Sequence, residues 1–143
     1  MAIEDAIYSR TAAHAAVVAT GAEVYRQIAP QSAALPYIVL TKISTVRHGC
    51  MTGYSLGLAT ARFQLDCYGA TDTVAASLAD AVRNCWAGFP ATIPTTVSSE
   101  SINAVLLDSE RGQVFPPEFS DDVGVHRRIM EIEVWYGESV PTL

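Results

Sequence analysis

The chain has 143 residues, a length that suits one domain with a single real core. Its net charge of −6, with only nine scattered Lys and Arg residues, argues against a nucleic-acid footprint, because neutralising phosphates takes clustered cations. Charged residues make up 17% of the chain and apolar residues 50%, against roughly 25% charged in ordinary soluble domains; this balance predicts surface that is covered by neighbouring molecules.

The N-terminus carries Glu4 and Asp5 where a secretory signal would be positively charged, and no apolar run reaches membrane-spanning length. An intracellularly made protein with no membrane contact is expected. Ile3 to about Val18 reads as one Ala-rich helix closed by Gly21, with His14 as an ordinary surface or packed residue within it. Val24 and Tyr25 suit a short extended piece before the Pro30 turn. Pro36 then launches a strand from Tyr37 to Ser44 whose nearly continuous apolar, β-branched character predicts a central or doubly covered position.

Val46 to Thr60 is punctuated by glycine and reads as a long loop or the tip of a hairpin. From Ala61, Phe63, Leu65 and Cys67 alternate with Arg62, Gln64, Asp66 and Tyr68, which predicts a strand with one oily and one wet face. That strand turns through Gly69 and Ala70 straight into a helix. Thr71 and Asp72 are its N-terminal capping residues, Val74, Leu78, Ala81, Val82 and Cys85 form its buried stripe, and Gly88 and Pro90 stop it. The segment 90–99 is a connector in which Pro94 rules out a central strand. Ser101 to Asp108 predicts a strand with Ile102, Ala104 and Leu106 on one side. Glu110 to Gly124 predicts a second long loop, and Val125 to Tyr136 a closing strand. In that strand Met130, Ile132, Val134 and Tyr136 face one way, and Ile129, Glu131, Glu133 and Trp135 the other. Residues 139–143 are expected to be a loose tail.

Several strings have the residue types of chemical sites. Gly53-Tyr54-Ser55-Leu56-Gly57 matches the G-x-S-x-G nucleophile elbow, and Asp108 or Asp121 followed by His126 has the chain order of a hydrolase triad. An elbow needs a strand immediately before the serine and a helix immediately after it. Here a strand follows, so the string reads as loop and a small serine esterase using Ser55 is the minor alternative. Asp121 and Asp122 lack a calcium-loop pattern and read as solvated acids. Cys50, Cys67 and Cys85 form no C-x-x-C pair and are odd in number, so neither a disulfide framework nor a zinc site is indicated; Cys67 and Cys85 read as small core residues. Arg127 and Arg128, at the start of the last strand, read as a wet edge or as salt-bridge donors. No catalytic, cofactor-binding or metal-ligating residue is expected.

These elements predict a single α+β domain over residues 1–143, with a mostly antiparallel sheet of about four strands and two helices packed on one face. Such a domain leaves a sheet face and sheet edges to be covered, most simply by another chain.

Taken in order, VYRQIAP (Val24 to Pro30), ALPYIVLTKIS (Ala34 to Ser44), ARFQLDCYGAT with the SLADAVR helix (Ala61 to Arg83) and RRIMEIEVWY (Arg127 to Tyr136) resemble the tail-completion proteins of long-tailed bacteriophages. These are also called tail-terminator or tail-to-head joining proteins. The resemblance spans roughly residues 3 to 138. It implies a non-enzymatic virion protein, assembled in the host cytoplasm, that forms a self-associated ring, usually a hexamer. The ring sits on the head-proximal end of the tail tube, stops tube growth and joins the tail to the head-completion or connector (stopper) protein. A closed head-to-tail ring has two different faces, so one can match the last tube ring while the other offers no template. The loops at 46–60 and 110–124 are expected to make these axial contacts, and the acidic balance to give a lumen through which genomic DNA passes without specific binding. Another ring of the same particle, a connector stopper or a tube subunit, is the nearest alternative.

Overall fold

Long segments with apolar side chains at alternate positions must pair their backbone groups to be buried, and here they pair side by side. The computed structural model describes residues 3–30, 34–49, 55–87, 95–97, 100–115 and 125–137. Within them β1 (Glu23–Arg26), β2 (Tyr37–Gly49), β3 (Ser55–Gly69), β4 (Thr95–Val97), β5 (Glu100–Phe115) and β6 (Val125–Gly137) form one sheet, ordered β1-β2-β3-β6-β5-β4. Only the β1-β2 pairing is parallel; the other four are antiparallel. Three helices, α1 (Ile3–Ala13), α2 (Ala15–Ala19) and α3 (Asp72–Trp86), supply the core of one face. The α+β class and the mostly antiparallel sheet agree with expectation, but the described residues hold six strands and three helices rather than about four and two. The additions are two short edge strands and a divided first helix.

That division falls at His14. The expected continuous helix stops there because His14 adopts an extended backbone (φ −66°, ψ 134°) and its ring Nδ1 accepts the Ala16 N–H at 3.3 Å, so it caps α2 instead of lying within a helix. The break lets Ile3, Ala6 and Ile7 of α1 and Val17 of α2 reach the same core. Gly21 follows with φ +73°, the left-handed ending expected of it.

β3 and α3 form the centre. Ala59, Ala61, Phe63, Leu65 and Cys67 are all fully buried, as the alternation predicted. Gly69 makes the close turn into α3, since a Cβ there would lie 2.9 Å from the Ala75 backbone nitrogen. Thr71 caps α3 by accepting the Val74 N–H at 3.2 Å. The buried stripe is Ala75, Leu78, Ala79, Ala81, Val82, Cys85 and Trp86; Val74, expected in it, is exposed, one position short of the face that meets the sheet. Trp86 is the largest fully buried side chain and donates Nε1–H to Thr11 Oγ1 at 3.2 Å, and Thr11 in turn donates to the Ile7 carbonyl at 2.8 Å. Burial pushes the Cys85 thiol up to about 11 and raises Cys67 further, so both stay protonated as core residues.

Two expectations about the strands need correction. Ile102, Ala104 and Leu106 do not share a side: the register slips between Ile102 and Ala104, so Ile102 faces the helices while Ala104 and Leu106 face away. The long-loop reading of 46–60 gives way to its alternative, the end of a hairpin, and Glu110 to Phe115 of the second expected loop is strand. β2 and β3 continue to Gly49 and from Ser55, and β5 runs on to Phe115, because each has a long partner to satisfy its backbone. The remaining parts of those loops (50–54 with Cys50, and 116–124 with Asp121 and Asp122), most of the 90–99 connector and the 139–143 tail lie outside the described residues.

Candidate assembly surfaces

Register places the two long hairpins at opposite ends of the sheet. Leu58, near the turn of the β2-β3 hairpin, pairs with Gly137 at the end of β6. Phe115 and Val125, at the turn of the β5-β6 hairpin, lie instead beyond Gly69 and His126 at the other end of β3. The molecule therefore presents one β-ribbon at each end.

This geometry dismantles the hydrolase reading. Ser55 opens a 15-residue strand rather than ending one, and His126 pairs with Gly69 at that strand's far end, some 14 steps of about 3.3 Å away, or roughly 45 Å. Asp108 is ion-paired with Arg62, and Asp121 lies outside the described residues. The triad is not assembled. Among the described residues no group of three or more His, Cys, Asp and Glu could hold a metal ion, and no helix is long and apolar enough to cross a membrane.

The sheet face away from the helices carries a laid-out set of interactions. At the β5-β6 hairpin end, Tyr25 meets Tyr37 edge-on at 5.9 Å, Tyr37 stacks on Tyr68 at 4.9 Å, and the Arg127 guanidinium lies 5.6 Å over Tyr68. Arg127 also donates to Asp66 at 2.9 Å and to Gln113 at 3.1 Å, and Gln64 donates to Asp66 at 2.9 Å. Asp66 is 5% exposed, although its strand position reads as wet. Burial raises the Tyr68 phenol above its usual range despite the opposing charge of Arg127.

Mid-sheet, Arg62 bridges Asp108, Glu131 (3.2 Å) and Glu133 (4.0 Å), while Arg111 reaches Glu131 at 3.2 Å. The hydrogen bond and charge of Asp108 raise the Arg62 pKa further. Toward the β2-β3 tip, His48 stacks on Trp135 at 5.2 Å and shares a 2.8 Å hydrogen bond with Thr60. Three arginines thus meet four carboxylates on this face, and every one of the seven is paired. Both basic residues at the start of β6 are salt-bridge donors, on opposite faces: Arg127 to Asp66, and Arg128 to Asp72 at 3.0 Å and Glu110 at 3.8 Å.

Sequence reading found the wet face but not its pairings. Each carboxylate is far from its arginine in the chain, and only the strand order β3-β6-β5 makes them neighbours.

A one-sheet α+β module with a ribbon at each end and an open face of matched charges has the make-up of an assembly protein. The chain belongs to the tail-completion family: the model of that family, described as Tail completion protein gp17, matches residues 5–114, and the coarse role of a structural tail protein goes with membership. No individually curated protein matches the chain. Among solved structures, a chain from "Virion of native gene transfer agent (GTA) particle" is similar in fold, with a TM-score of 0.69, 19% identity and 95% of each chain covered.

Proposed function

We propose that the protein forms the ring that completes the phage tail: a hexamer on the head-proximal end of the tail tube that ends tube polymerisation and joins the tail to the head connector. The observation that carries this reading is the opposed placement of the two hairpins. In a ring whose axis runs along the strands, each hairpin faces a different axial neighbour, one the last tube ring and the other the connector protein. Tube growth stops because the two ends are chemically different, so a second ring of the same protein finds no matching surface. The whole chain acts as one domain in this role, structural rather than catalytic. The open face, with three arginines balanced by four carboxylates, suits a channel through which DNA slides without being held.

The test adds purified protein to assembling tube subunits. Tubes of limited length, each bearing a single terminal ring in electron micrographs, are the expected result; unlimited tubes would sink the proposal, and stacked rings of the protein alone would make it a tube subunit instead. Deleting residues around Gly53 to Gly57, between β2 and the start of β3, should abolish capping while leaving ring mass unchanged, and a deletion variant that still caps tubes would remove that end of the molecule from the contact.

A further inference from the structure

The terminal strands of the sheet are too short to cover their neighbours. β1 pairs with β2 only from Tyr37 to Leu40, where the Gln27 N–H bonds the Leu40 carbonyl, and β4 pairs with β5 only from Glu100 to Ile102. Among the described residues, nothing pairs with the outer edge of β2 from Lys42 to Gly49 or with that of β5 from Ala104 to Phe115. Proteins usually blunt such edges with lysine or proline. Among the described residues, five of the eight exposed large apolar side chains lie on them: Ile43 and Val46 on β2, and Leu106, Leu107 and Val114 on β5.

We propose that these two edges pair with each other between copies, β2 of one chain adding to β5 of the next, so that the sheets join into one continuous closed wall. Strand direction permits this. β2 and β6 run one way and β3 and β5 the other, so rotation about an axis along the strands brings the next copy's β2 antiparallel to β5. Position permits it too. Following the registers across the sheet, Ala104, Leu106 and Leu107 stand level with Val46, Ser44 and Lys42, so the uncovered stretches overlap without any stagger. The strand tilt of a closed barrel, in the sense that brings β2 toward the Phe115 end of β5, lengthens that overlap.

Beside the β5 edge, Arg83, Leu107, Asp108, Ser109, Glu110 and Met130 line a cleft of about 200 Å³, a seat for an apolar side chain of the incoming strand. This inference rests on the ring reading and says which surfaces close the ring.

The test uses the full chain with Val46→Lys on one edge or Leu106→Lys on the other, both at exposed positions, with circular dichroism to verify folding. At a concentration where wild type is a ring, each variant is expected at single-chain mass. An equimolar mixture should give a two-chain species, because each variant retains the edge that the other has lost. Rings formed by both variants, or a mixture that stays at single-chain mass, would overturn the edge pairing while leaving the ring intact as a reading. A wild type that is monomeric at all concentrations would sink the ring itself. Independently of substitutions, amide exchange at 42–49 and 104–115 should slow about tenfold or more in the wild-type ring relative to the diluted chain; equal exchange at both edges would count against the pairing.

Discussion

The same four long strands carry two faces that are held by different physics. On the helix side, α1, α2 and α3 bury Phe63, Leu65, Ile132, Val134 and Trp86 in a dry core. On the other side almost every charge is met across strands, and aromatic stacks close the pattern near both hairpins. The first face is stabilised by removal of apolar surface from water, a large term that does not depend on who the neighbours are. The second gains little from its exposed pairs and more from those that are shielded. A face of this second kind can stand beside solvent or another molecule without unfolding or aggregating.

Substitutions can break that comparison or sharpen it. Trp86→Ala should have the largest effect, because it empties the biggest fully buried site and removes the N–H that the Thr11 hydroxyl accepts; about 3 to 5 kcal/mol of stability is expected to be lost in denaturant unfolding. Asp66→Ala tests the open face where it is most shielded. Removing the buried carboxylate leaves Arg127 and Gln64 without it, for an expected loss of about 2 to 3 kcal/mol. A loss as large as that of Trp86→Ala would mean the two faces do not differ as described. Gly69→Ala probes the seam between strand and helix, where the new Cβ meets the Ala75 backbone and Val74; a loss of about 1 to 3 kcal/mol in the same assay is expected from overpacking.

The smallest effect is expected at Glu4, which pairs with Lys42 at 2.8 Å on the rim of the core. Burial opposes ionisation of this carboxyl most strongly, but the hydrogen bond from Lys42, a backbone hydrogen bond and the charges of Lys42 and Arg26 together outweigh it and hold its pKa below the ordinary 4.5. A depressed folded-state pKa contributes stability that is present above the unfolded value and lost as pH falls through the folded one. Glu4→Gln should therefore cost under about 1 kcal/mol at neutral pH and flatten the stability profile below pH 4.5. An unchanged acid limb in pH-dependent melting would show that the pair contributes nothing.

Much of the fold was legible in local pattern. The Phe63, Leu65, Cys67 alternation, the Thr71 cap and the Gly21 ending each report a choice made by neighbours in the chain, and each stands in the structure. The errors share a cause. His14 looked helical because nothing in its own turn forbids helix; the chain breaks there so that two short helices reach one core. Ala104 and Leu106 were placed with Ile102 because a slip in register leaves no mark in the apolar pattern of a single strand. The G-x-S-x-G string is set aside in the sequence by the strand that follows it, and the structure adds what one-dimensional spacing cannot show, that Ser55 and His126 lie at opposite ends of a sheet.

By itself the sequence determined the α+β class, the oily face of β3 and α3, and the short charge supply that calls for covering neighbours, since these follow from side-chain periodicity and composition. Only the tertiary structure decided which hairpin lies at which end, how arginines and carboxylates from distant strands are matched, and which strand edges stay open. Those outcomes depend on the order and register in which strands pair, and hydrogen bonds between backbones, identical for almost every residue, write no signature into the chain that makes them.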